Sequence, residues 1–171
     1  MSNVTLIGMP ASGKSTVGVL LAKRIGFSFI DVDIVIQEKE KRLLKEIIRS
    51  EGLQGFLEIE NRINSELDVD NAIIAPGGSV IFGKEAMKHL KEISLVVYLK
   101  ISYESLVSRL GDITDRGVVL EEGMNLQDLY HERTPLYEKY ADIIIEEDDK
   151  SFGEVIDELR RQLEQIFGQK S

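Results

Sequence analysis

The sequence predicts a three-layer α/β fold, with helices covering a parallel sheet, and three observations carry that expectation. Five short apolar runs recur along the chain: Val4–Gly8, Phe27–Ile30, Ala72–Ala75, Leu95–Leu99 and Ile143–Ile145. They are almost uninterrupted by polar residues, which suits strands buried on both faces. Helical stretches separate the runs, and strand–helix alternation builds parallel sheets with crossover helices. The first run leads directly into Gly8-Met9-Pro10-Ala11-Ser12-Gly13-Lys14-Ser15, a G-x-x-x-x-G-K-S loop between a strand and an amphipathic helix.

The residue types in that loop have a physical purpose. Gly8 and Gly13 allow positive φ and a close approach to a ligand. Successive N–H groups then point inward as an anion nest at the positive end of the next helix. Lys14 adds a point charge for β- and γ-phosphates, and the Ser15 hydroxyl suits Mg²⁺. The loop therefore predicts a nucleoside triphosphate site. In the helix that follows, Val17, Leu20, Leu21 and Ile25 share one face, and Gly26 is placed to cap its end. The charged stretch Gln37–Lys45 predicts an exposed helix face with pairs such as Glu38–Arg42. Tyr130, Tyr137 and Tyr140 read as packing residues with wet hydroxyls. The acidic run Glu146–Asp149 reads as a solvated loop. The last helix opens on a Ser151-Phe152-Gly153-Glu154 capping box and carries Val155, Ile156, Leu159, Leu163 and Ile166 at helical spacing.

Length and composition bound the function. A chain of 171 residues is expected to form one domain, 1–171, with a core that needs no staples. The absence of cysteine excludes disulfides, thiol catalysis and zinc–thiolate sites. Lys plus Arg total 21 against 30 acids, a net charge of −9, which disfavours nucleic acid and anionic membranes as partners. No apolar run approaches the roughly 18 residues that span a bilayer. The start, Met-Ser-Asn, lacks the pattern of a secretory leader, so the cytoplasm is the expected compartment.

Neither Ala72–Ala75 nor Leu95–Leu99 ends in the acid that translocating ATPases place there, and no N-K-x-D guanine-reading motif is present. Acids instead follow the second run, in Phe29-Ile30-Asp31-Val32-Asp33. In an extended segment alternate residues point the same way, so Asp31 and Asp33 should share one site at the carboxyl end of the sheet. One carboxylate can hold a metal; the other can orient a hydroxyl and accept its proton.

These residues, with Gly52…Phe56…Glu60, Gly77-Gly78, Arg116 and Glu132-Arg133-Thr134-Pro135-Leu136-Tyr137, resemble the shikimate kinase family within the nucleoside-monophosphate-kinase-like group. The resemblance runs from the first strand to Ser151. It implies a five-stranded parallel sheet of order 2-3-1-4-5, a small helical substrate-binding segment around 31–62 and a lid around 111–124. It implies a monomeric, Mg²⁺–ATP-dependent kinase phosphorylating shikimate. The implied nucleotide site comprises Gly8, Ala11, Ser12, Gly13, Lys14, Ser15 and Thr16, with Arg109 stacking on adenine and Arg116 closing over the transferred phosphoryl group. Ser15 and Asp31 are the implied metal ligands. Lys14, Asp33 and Arg116 are the implied catalytic groups, and Arg133 and the Gly77-Gly78 amides the acceptor ligands. Thr134 is expected to cap a new helical turn at Pro135.

The departures fall in the acceptor site. Where the family writes F-R-x-x-E, this chain has Phe56-Leu57-Glu58-Ile59-Glu60, and Ser79 replaces the third glycine of a Gly-Gly-Gly turn. Arg62 points about 140° away around a helix and does not substitute. A lost charged hydrogen bond is worth about 1.5–3 kcal/mol, roughly 10- to 150-fold in affinity. Glu60 is expected to stand without its partner, which suits an acceptor bearing an ammonium, such as a hydroxy amino acid. A non-catalytic nucleotide-binding regulator and a nucleoside monophosphate kinase are the other readings of these residues.

Overall fold

Strand β1 (Asn3–Ile7) is buried along its whole length and forms the centre of a five-stranded parallel sheet. Its neighbours are β3 (Ala72–Ala75) and β4 (Ser94–Lys100), with Val4 opposite Ile73 on one side and Leu95 on the other. Outside them lie β2 (Ser28–Asp31) and β5 (Ile143–Glu146), so the order is β2-β3-β1-β4-β5, as the resemblance implied. The structure, a computed structural model, describes residues 3–110 and 123–168.

Strand alternation divides the core in two. Leu6, Ile73, Val97 and Leu99 face a layer formed by α1 (Lys14–Ile25) and α7 (Phe152–Gly168). Ile7, Ile74, Val96 and Tyr98 face the opposite cluster. That side holds α2 (Val32–Glu40), α3 (Leu44–Ser65), α4 (Lys84–Ile93), α5 (Tyr103–Leu110) and α6 (Leu126–Tyr140). Burial on both faces holds for β1 and β3 but not at the margins. In β5, Ile143 and Ile145 are buried while Ile144 is 43% exposed, because the last strand is covered on one face only.

Several local expectations are corrected. Leu20 points to solvent, and α1 buries Val17, Gly18, Leu21 and Ala22 instead. The ring of Phe29 packs where a Cβ on Gly18 would sit, so the small-residue face rests on the sheet. The stretch Gln37–Lys45 is not one helix: α2 ends at Glu40, Lys41 takes φ 56°, and Arg42 pairs with Glu51 at 3.0 Å and with Glu40 rather than Glu38. Thr134 caps nothing. α6 runs through Pro135 unbroken, capped at its start by Asn125, and the Thr134 hydroxyl donates to the Tyr130 carbonyl at 2.7 Å. Gly26 does close α1, with φ 75° and its N–H on the Ala22 carbonyl. The Ser151–Glu154 capping box forms as expected at the start of α7.

Candidate active site

The phosphate loop follows β1 at the carboxyl end of the sheet. Gly13 takes φ 89°, and a Cβ there would lie 2.6 Å from the Phe152 ring, so both its conformation and its space demand glycine. The Lys14 ammonium donates to the carbonyls of Gly8 at 2.9 Å and Met9 at 2.8 Å. Burial and the nearby Arg133 charge lower its pKa to about 8, while Asp33 and Glu147 pull the other way. Arg109 reaches the same loop: it donates to the Ser12 carbonyl at 3.3 Å, lies 3.7 Å from the Glu147 carboxylate and faces the Phe152 ring at 5.8 Å. Glu147 is only 1% exposed. Burial pushes its carboxyl up to about 7 against the opposing charges of Arg109 and Lys14.

Beside the loop opens a cavity of about 350 Å³ that holds Lys14 and Ser15 together with Asp31, Asp33, Glu60, Gly77, Gly78, Ser79 and Arg133. Asp31 and Asp33 meet there by a route other than strand alternation. Asp31 ends β2 and caps α2, its carboxylate accepting the Asp33 N–H at 3.0 Å, and Asp33 is already helical. Burial and the Asp31 charge raise the Asp33 pKa, and Lys14 opposes them. Glu60 has no cationic partner among the described residues, as expected, but the Ser79 hydroxyl donates to its Oε1 at 2.6 Å, while the buried Oε2 has no hydrogen-bond partner there. Burial drives the Glu60 carboxyl up to about 7, with the Ser79 bond opposing and Asp33 adding. A Cβ on Gly77 would fall 2.6 Å from the second Glu60 oxygen, and one on Gly78 would fall 2.9 Å from the Arg133 guanidinium. The glycine pair thus brings backbone against both charged groups.

Arg133 sits inside α6, 4% exposed, with its guanidinium 5.6 Å from the Phe82 ring centroid. The Tyr137 hydroxyl, expected to be wet, is buried and donates to the Gly78 carbonyl at 2.6 Å. Tyr130 likewise donates to Ile101 at 2.9 Å. Leu57 lines a second cavity of about 420 Å³ with Leu53, Phe82, Leu129 and the charged Glu58, Lys84 and Glu132, which meets the first at Ser79 and Arg133.

A phosphate loop beside a cavity that holds a half-buried carboxyl group together with other acidic and basic groups can transfer a phosphoryl group to a small polar molecule. Comparison with known proteins decides the family. The sequence model of the family described as "Shikimate kinase" matches residues 10–164. This chain belongs to the shikimate kinase family. Among its relatives, the shikimate kinase of Persephonella marina is 32% identical over 160 residues, covering 93% of this chain and 97% of the relative. That of Thermodesulfovibrio yellowstonii is 33% identical over 174 residues and the full length of both. Among solved structures, the shikimate kinase of Acinetobacter baumannii in complex with shikimate superposes with a TM-score of 0.84 at 30% identity, covering 99% of this chain and 95% of that one. That of Aquifex aeolicus gives a TM-score of 0.77 at 30% identity, covering 95% and 96%.

This shikimate kinase family member is thus an ATP-using kinase with a hydroxyl acceptor on a small metabolite. Its structure brings together every described residue expected at the acceptor site except Leu57, which stands next door. Arg116 and most of the lid expected at 111–124 lie outside the described residues. Arg62 turns away as expected and pairs with Glu40 at 2.6 Å. Three residues at the site stand out from no sequence pattern: Phe152 reads only as part of a capping box, and Glu147 and Lys45 only as members of charged stretches that read as solvated. The acidic run is not solvated throughout: Glu147 is buried, and Asp148 accepts the Ser102 N–H at 3.0 Å, tying two loops together.

Proposed function

We propose that the chain transfers the γ-phosphoryl group of ATP to a hydroxyl of shikimate, giving ADP and shikimate 3-phosphate. The observation that carries this reading is the single cavity running from Lys14 and Ser15 to Asp33 and Arg133, which lets phosphate and acceptor meet. The loop amides from Gly8 to Thr16 cradle the phosphates, and Lys14 leaves the Gly8 and Met9 carbonyls to neutralise them. Arg109 covers the adenine, and Arg116 closes over the transferred group. Asp33 orients the acceptor hydroxyl and takes its proton, aided by a pKa that burial raises. Arg133 binds the acceptor carboxylate, and the Gly77 and Gly78 backbone lies close enough to help hold the ring.

Ser15 and Asp31 fit Mg²⁺, because both place oxygen donors on the same cavity and Mg²⁺ favours a few protein oxygens plus phosphate and water. When bound, the ion supplies charge neutralisation at the β- and γ-phosphates. Among the described residues no larger cluster of metal-ligating side chains occurs. The Ser79 bond to Glu60 supports shikimate over an ammonium-bearing acceptor, since one carboxyl oxygen already has a donor and burial favours the neutral form.

We also infer that residues 1–171 act as one kinase domain, as a monomer in the cytoplasm, serving aromatic amino acid biosynthesis without nucleic-acid or membrane partners. The net charge of −9 supports the absence of nucleic-acid and anionic-membrane partners, and no described helix is long and apolar enough to cross a membrane. The test is ADP release in a coupled assay with Mg²⁺–ATP and shikimate, beside a panel of hydroxy amino acids and polyols. Shikimate should give the highest kcat/KM; a rate with shikimate no higher than with ATP alone overturns the reading.

A further inference from the structure

The acceptor cavity carries three carboxyl groups, Asp31, Asp33 and Glu60, on its walls. An anionic acceptor needs cations there, and Lys14 belongs to the phosphates. Arg133 is one. Position 57 supplies none, since Leu57 is uncharged and lines the neighbouring cavity. The remaining cationic side chain on the cavity wall is Lys45. It sits in the first turn of α3, beside Leu44 and Ile48, which line the same cavity.

Lys45 lines the cavity, and no carboxylate among the described residues pairs with it, whereas Arg42 is engaged by Glu40 and Glu51 and Arg62 by Glu40. A cation in the first turn also opposes the helix dipole, so local helix stability does not account for it. The turn is aimed by the break at Gly52, where φ 73° and ψ −179° interrupt α3 and separate the 44–51 segment from the Phe56–Glu60 face.

We propose that Lys45 is a specificity-determining residue, supplying with Arg133 the positive charge that binds the acceptor carboxylate where position 57 carries none. The inference rests on shikimate being the acceptor. The test is steady-state kinetics on the full chain for a charge series, Lys45→Arg, Lys45→Ala and Lys45→Glu, each first shown to melt with the wild type. KM for shikimate should stay near wild type for Arg, rise about tenfold for Ala, the low end expected of a charged hydrogen bond at an exposed site, and rise further for Glu. KM for ATP should not move, and kcat should change far less than KM for shikimate. A KM for shikimate within twofold of wild type in both Lys45→Ala and Lys45→Glu overturns the assignment while leaving the proposed function intact. Failure of the wild type itself to turn over shikimate overturns the proposed function, and the role of Lys45 falls with it.

Discussion

Half-buried, Asp33 has its pKa raised first by desolvation and then by the Asp31 charge, with Lys14 pulling the other way. That balance suits a base that must take a proton from a hydroxyl and later release it. Asp33→Asn should preserve the fold and lower kcat by about 10²- to 10⁴-fold with little change in KM for ATP, read by the coupled assay. Lys14 should mark the alkaline side. With a pKa near 8 in the free protein, its ammonium is lost as pH rises, so KM for ATP should climb above that pH. The candidate site was legible where its residues are contiguous: Gly8 to Ser15 form one motif, and its spacing alone defines the nest. The pairing of Ser79 with Glu60 and the burial of Glu147 were not, because the fold brings these side chains together from separate elements. Composition cannot distinguish a buried acid from a solvated one.

At the scale of elements, α3 does the positioning. It delivers Glu60 and Leu57 from one segment and Lys45 from another, and the break between them sits at Gly52. The combination of φ 73° and ψ −179° belongs to a region that essentially only glycine occupies. Gly52→Ala should therefore cost about 1–3 kcal/mol of stability even though a Cβ there meets open space, so the penalty is conformational rather than steric. Thermal denaturation measures it, and KM for shikimate should rise in the same variant as the first turn is re-aimed. Element existence was readable from apolar runs and loop motifs. The end of α2 and the continuity of α6 were not: Lys41 adopts φ 56° without glycine, and Pro135 is tolerated mid-helix within tertiary packing. The convergence of Asp31 and Asp33 was anticipated for a different reason, since a helix cap and its first turn bring them together rather than an extended strand.

For the molecule as a whole, two buried acids tie stability to pH. Glu60 and Glu147 ionise near 7 in the folded chain against an ordinary 4.5. Between those values the folded state holds protons that the unfolded chain has released, so stability is greatest below about 4.5 as far as these groups are concerned and falls as pH rises toward 7. Glu85 and Glu154 are held low by hydrogen bonds and act in the opposite sense, but both lie at the surface. The melting temperature of Glu60→Gln and of Glu147→Gln should each decline less than wild type across that window; identical slopes would show that neither acid carries a proton in the folded state.

The position of β1 also bears on how the molecule is made. Among the described residues no two neighbouring strands form a hairpin: β1 pairs there with β3 and β4 alone, and even β2 must wait for Ala72 to meet Ser28. At about 5–20 residues per second of synthesis, Val4, Leu6 and Ile7 emerge several seconds before either partner exists. The most buried strand of the finished enzyme is thus the one left longest without company on the ribosome, where chaperones and rival chains compete for it.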